Sequence, residues 1–110
     1  MRFRRLTTLL FVCLLTGFNQ NAFSQQSAAL SGQVVDPSKA LVIGATVTLT
    51  DLQRGGKRTT LTNESGTYVF DPLEPGEYSL LARSKGFADF KVDRIVLQVR
   101  DRQSLRLELV

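Results

Sequence analysis

Residues 62–87 read TNESGTYVFDPLEPGEYSLLARSKGF. Two short runs, Thr67 to Phe70 and Glu77 to Arg83, are bounded by clusters of turn-forming residues: Asn63-Glu64-Ser65-Gly66, Asp71-Pro72-Leu73-Glu74-Pro75-Gly76 and Gly86-Phe87. Alternate residues share a face in each run, Tyr68 with Phe70 and Tyr78 with Leu80 and Ala82. That period of two marks an extended strand with one buried face. Gly66 and Gly76 stand where the backbone must reverse, and Pro75 presets φ on entry to its turn. The aromatic residues are the large members of a small core, with each tyrosine hydroxyl expected at its edge.

Upstream the pattern continues. Leu30, Gly32 and Val34 alternate with Ser31, Gln33 and Val35 until Asp36-Pro37-Ser38 interrupts them. Ala45, Val47 and Leu49 then share one face while Thr46, Thr48 and Thr50 take the other, as suits a wet sheet face. Arg54-Gly55-Gly56-Lys57 is a hairpin signal, and Arg58 to Thr62 returns. Downstream, Phe90 to Val99 is extended with an irregularity at Asp93-Arg94, followed by Ile95, Leu97 and Val99 on one face. Leu105, Leu107 and Leu109, interleaved with Arg106 and Glu108, close the series. Seven short strands and no amphipathic helix predict an all-β chain, a seven-stranded antiparallel Greek-key sandwich.

The first 24 residues do not share this pattern. Arg2, Arg4 and Arg5 precede an apolar run, Leu6 to Leu15, and Ala22-Phe23-Ser24 places small residues two apart. This is the layout of a cleavable signal peptide over residues 1–24. The run is too short for the roughly 20 residues a membrane-spanning helix needs. Residues 25–29 form a polar lead-in, and 30–110 the domain. Export to the periplasm, or association with the outer membrane, is the expected location.

Cleavage changes the charge argument. The chain has 14 Lys and Arg against 10 Asp and Glu. Three of the basic residues leave with the signal and every acid stays, so the mature net charge is about +1. A nucleic-acid partner is not expected on that balance, and contact with the membrane is expected only through a partner. The single cysteine, Cys13, lies inside the apolar run and lacks the small residues of a lipoprotein signal before it. The mature protein therefore has no thiol or disulfide.

The chain has no histidine, which removes imidazole-based nucleophile systems and metal ligands. Glu74 with Glu77, and Asp89 with Asp93, are the carboxylate pairs to weigh, and a domain this small offers little cleft for them to face across. Asp71, Glu74 and Glu77 supply oxygen ligands on loops, without the spacing of a calcium motif. Ser38-Lys39 and Ser84-Lys85 are adjacent pairs, whose side chains point to opposite sides of an extended backbone. No catalytic residue, metal site or cofactor is expected.

The ordered turns and strands resemble the carboxypeptidase regulatory-like domain, a transthyretin-like (prealbumin-like) sandwich close in fold to Cna-B-type surface repeats. The resemblance rests on Gly32, Val34 and Asp36; on Gly44, Ala45, Val47 and Leu49; on Gly66, Tyr68 and Phe70; and on Leu73, Pro75, Gly76, Tyr78, Gly86 and Phe87. It implies a domain that accompanies a catalytic unit without containing it. Cna-B-like domains often carry a Lys–Asn isopeptide bond; here the first strand lacks lysine and the last lacks asparagine, so none is expected. A signal peptide directly before such a domain also resembles the N-terminal extension of TonB-dependent outer-membrane receptors. There a plug and β-barrel follow, whereas this sequence stops at Val110, so a stand-alone, truncated or split relative is expected.

Two functions fit these readings. One is an accessory module binding an envelope protein, with an exposed edge strand as one means of contact. The other is glycan binding, for which Phe87 and Phe90 near a corner are the aromatic platform; their alternative role is packing.

Overall fold

The computed structural model describes residues 26–110, so the expected signal peptide lies outside the described residues. The described chain is all-β, with strands β1 (Ala28–Val35), β2 (Thr46–Asp51), β3 (Lys57–Leu61), β4 (Thr67–Leu73), β5 (Gly76–Arg83), β6 (Phe90–Leu97), β7 (Arg102–Ser104) and β8 (Leu107–Glu108). They form two sheets. One runs β4-β1-β7, with β8 also paired to β1, and the other β3-β2-β5-β6. Neighbours far apart in sequence, such as β2 beside β5, are what Greek-key connections produce.

Tyr68, Phe70, Leu30, Val34, Val47, Leu49, Leu80, Leu97, Leu107 and Leu109 are buried between the sheets. All come from the predicted inward faces. Burying one such leucine or valine contributes roughly 1.5–3 kcal/mol, and without a disulfide this packing carries the fold.

The sandwich departs from expectation in four places. β1 begins at Ala28, two residues before the predicted start. β4 continues through Pro72 to Leu73 instead of ending at Phe70. Its register with β1 passes from Leu30↔Phe70 to Ala28↔Leu73, so Asp71 and Pro72 together oppose Ala29. Such a bulge admits a proline, which has no N–H to give the ladder. Val99 is 53% exposed because β6 ends at Leu97, where the Asp101 carboxylate accepts the Gln98 N–H (2.7 Å) and turns the chain.

The fourth departure is at the C-terminus, where an unpredicted strand, β7, precedes the predicted last strand and the latter shortens to β8. β7 and β8 both run parallel to β1, through Ala29↔Arg102 and Val34↔Leu107, so eight strands replace seven and the sandwich is not wholly antiparallel. Between them Leu105 dips inward, its N–H bonded to the Ser31 carbonyl at 2.8 Å. Gly32 makes this possible, since a Cβ there would lie 1.9 Å from the Leu105 carbonyl oxygen.

The irregularity expected at Asp93-Arg94 is present. Tyr78 pairs with Ile95 and Leu80 with Val92, leaving both residues opposite Ser79.

Candidate interaction surfaces

Polar side chains make the loops. The Asp36 carboxylate accepts the N–H groups of Ser38 and Ala40 (both 2.9 Å) and the Ser38 hydroxyl (2.7 Å). The Ser38 hydroxyl bond is the main cause of the lowered Asp36 pKa; desolvation opposes it, and the Ala40 and Ser38 amide bonds add to the lowering. Asn63 does the same work before β4, its side-chain oxygen accepting Ser65 and Thr67 N–H. These residues satisfy backbone donors that no strand can reach. Gly66 adopts φ +66° in that turn, a conformation costly for other residues.

One end of the sandwich gathers charge. Asp51 closes β2 and accepts the N–H groups of Gln53 and Arg54, both at 2.9 Å. The Arg54 guanidinium then bridges Asp51 (3.0 Å) and Glu74 (2.8 Å), tying the β2–β3 turn to the β4–β5 turn. Burial disfavours the Asp51 anion, yet the Arg54 and Gln53 hydrogen bonds outweigh it and its pKa falls. The Tyr78 hydroxyl donates to the Glu74 carbonyl of the same turn. Around this clamp lies an open recess of about 700 Å³, bordered by Gln26, Ser27, Arg54, Pro72, Glu74 and Pro75.

The carboxylates singled out from the sequence are distributed. Asp71 faces Arg102 (3.5 Å), Glu74 faces Arg54 and Glu77 faces Arg94. Asp89 pairs with Arg83 (3.1 Å) and Asp93 with Lys91 (3.7 Å). Among the described residues no three acidic side chains group to hold a metal ion.

The aromatic residues divide in the same way. Tyr68 and Phe70 pack inside, with ring centroids 6.1 Å apart, and the Arg58 guanidinium sits 5.9 Å from the Phe70 centroid. Phe87 and Phe90 lie half-buried against the core, Phe87 in the turn after Ser84 and Phe90 opposite Ala82. Each leaves part of its ring accessible.

Thr62 was not singled out from the sequence. It is buried, and its hydroxyl donates to the Val42 carbonyl (2.7 Å) and accepts the Ala45 N–H (2.9 Å). The strand's period of two carries the signal: counting on from Arg58 and Thr60 points Thr62 inward, where a hydroxyl needs partners.

The sequence model of the carboxypeptidase regulatory-like domain matches residues 29–110. The chain belongs to this family. No curated protein sequence matches it. Among solved structures, this regulatory-like domain is similar to a Bacteroides uniformis protein provisionally described as carbohydrate binding (TM-score 0.62, 16% identity, 76% of this chain and 41% of that one). The Bacillus anthracis TIE protein matches with TM-score 0.65 and 17% identity, over 76% of this chain and 16% of its own. Catechol 1,2-dioxygenase from Acinetobacter sp. ADP1 matches with TM-score 0.60 and 11% identity, over 86% of this chain and 54% of its own. The chain thus spans less than two thirds of each of these proteins. At these identities the likeness is one of fold.

Proposed function

We propose that the chain is an exported, non-enzymatic module of the bacterial envelope that acts by binding another protein. The observation that carries this reading is the family match across the whole sandwich, residues 29–110, on a chain whose first 24 residues have a signal-peptide layout. Separation of the loop carboxylates supports a non-catalytic role, because each faces its own cation instead of sharing a cleft. The periplasm or the outer membrane is the proposed site of action. The same order of signal layout and sandwich supports a proposed role as the N-terminal domain type of TonB-dependent receptors. Pull-down from an envelope extract tests the reading. A specific partner, lost when sheet-face or edge residues are changed without loss of fold, supports it; no specific partner overturns it.

A second reading, glycan binding, is favoured by the likeness to the Bacteroides uniformis protein and by the partly accessible rings of Phe87 and Phe90. Saturable glycan binding that follows the Phe87 and Phe90 side chains supports that reading over the first.

A further inference from the structure

The two sheets present unequal edges. β4 is closed at both ends. The Thr67 carbonyl accepts the Asn63 N–H (3.1 Å) and the Thr67 N–H donates to the Asn63 side chain (3.0 Å). At the other end Pro72 has no N–H, and its carbonyl accepts Arg58 (2.6 Å). β6 is bulged at Asp93-Arg94, and its Val96 carbonyl accepts the Gln103 side-chain amide (2.9 Å). β7 has three residues and β8 two. Bulges, prolines and short strands are the usual guards against added strands.

β3 has no bulge and no proline, and its one guard is the exposed charge of Lys57, which repels a cationic or apolar strand and admits an anionic one. Its register with β2 is regular over five pairs, from Thr46↔Leu61 to Thr50↔Lys57. The Thr62 N–H donates to the Ala45 carbonyl and the Asp51 N–H to the Gly56 carbonyl. Antiparallel ladders alternate, so Arg58 and Thr60 bond inward to β2, and the N–H and C=O groups of Lys57, Thr59 and Leu61 point away from the sheet. These three residues have exposed side chains. Leu61 is 62% exposed, and Lys57 forms none of the ion pairs among the described residues.

We infer that the outer edge of β3 accepts an extended segment of another protein as an added antiparallel strand, with a carboxylate opposite Lys57 and an apolar residue opposite Leu61. This deepens the module reading and rests on it. The backbone groups supply the attachment, and the side chains set the register through directly opposed pairs. A second copy of the chain is a poor occupant. Two-fold pairing about Thr59 sets Lys57 against the other copy's Leu61, so neither side chain meets its complement.

The test uses the full chain and two blocked peptides, TVTSTET and TVTSTKT, which in antiparallel register place Glu or Lys opposite Lys57. Binding of the Glu peptide about fivefold tighter than the Lys peptide is expected, with hydrogen-exchange protection at Lys57, Thr59 and Leu61. Thr59→Pro removes an outward N–H that β2 does not use and, besides it, only the exposed 3.3 Å hydroxyl contact with Thr48. It should therefore lower the thermal midpoint no more than Thr59→Val does, and lose at least tenfold in affinity where T59V does not. Lys57→Glu should reverse the peptide preference. Equal binding of both peptides, unchanged binding by T59P, protection at β6 instead, or self-association through β3 each overturns the assignment. An envelope partner still captured by T59P and K57E leaves the module reading intact while sinking this one.

Discussion

The Tyr68 hydroxyl donates a 2.6 Å hydrogen bond to the carbonyl of Leu105, thirty-seven residues along the chain. Gly32 lies between them on β1: a Cβ there would come within 2.8 Å of the hydroxyl and 1.9 Å of the carbonyl oxygen. The buried phenol thereby holds the β7–β8 crossing against the core, and Gly32 is the gap through which it reaches.

Removing that bond should therefore loosen the C-terminal strands. Tyr68→Phe leaves the Leu105 carbonyl without this partner and is expected to cost about 1–2 kcal/mol, or a fall of roughly 4–16 °C in Tm. Gly32→Ala, which forces the crossing outward, should cost more. Urea unfolding with tyrosine fluorescence or circular dichroism compares the two, and a G32A protein as stable as Y68F would refute the close-approach argument.

Thr62 is the next test of the interior. Thr62→Val keeps the shape but strands the Ala45 N–H and the Val42 carbonyl, at an expected cost of about 1–3 kcal/mol, whereas Thr62→Ser keeps both bonds and should lose less. If valine proves no worse than serine, the hydroxyl contributes nothing beyond its volume.

The pH dependence has two limbs. Asp51 has a depressed pKa, with desolvation outweighed by the Arg54 and Gln53 hydrogen bonds. Its contribution is present above the unfolded value, near 3.9, and is lost as pH falls through the lower folded value. Tyr68 is raised by burial, so its contribution holds below about pH 10 and declines as the unfolded phenol ionises above it. Asp51→Asn should make the acid limb shallower, leaving the part due to Asp36, and Tyr68→Phe the alkaline limb, leaving the part due to Tyr78. Urea midpoints measured from pH 2 to 11 would show this, and an acid limb unchanged in D51N would remove Asp51 from the account.

Phe87 and Phe90 separate the two functional readings. Phe87→Ala and Phe90→Ala should each destabilise the fold by about 1–3 kcal/mol, less than a full core truncation because the rings are half-buried. Under the protein-binding reading neither changes any glycan titration. Glycan binding by the parent that each alanine abolishes while the fold persists would move the function to the second reading.

The strands were legible because alternation is local. Ala45, Val47 and Leu49 face inward for the same reason that Thr46, Thr48 and Thr50 face out, and neighbouring residues alone decide it. Pro72 and Leu105 misled for a related reason. A proline reads locally as a break, and Leu105-Arg106-Leu107-Glu108-Leu109 reads locally as one strand, until β1 supplies a bulge to the first and a parallel partner to the second.

The sandwich class, most of its core residues and most of its turns thus follow from sequence by itself, because periodicity and turn chemistry act over a few residues; Val99, Ala28 and Pro72 are the exceptions. Tertiary structure alone decided which arginine neutralises which acid, how Tyr68 meets Leu105 across Gly32, and which of four edges keeps its hydrogen-bonding groups open. Those outcomes depend on strand order and register between segments tens of residues apart, which are set when the two sheets close on each other.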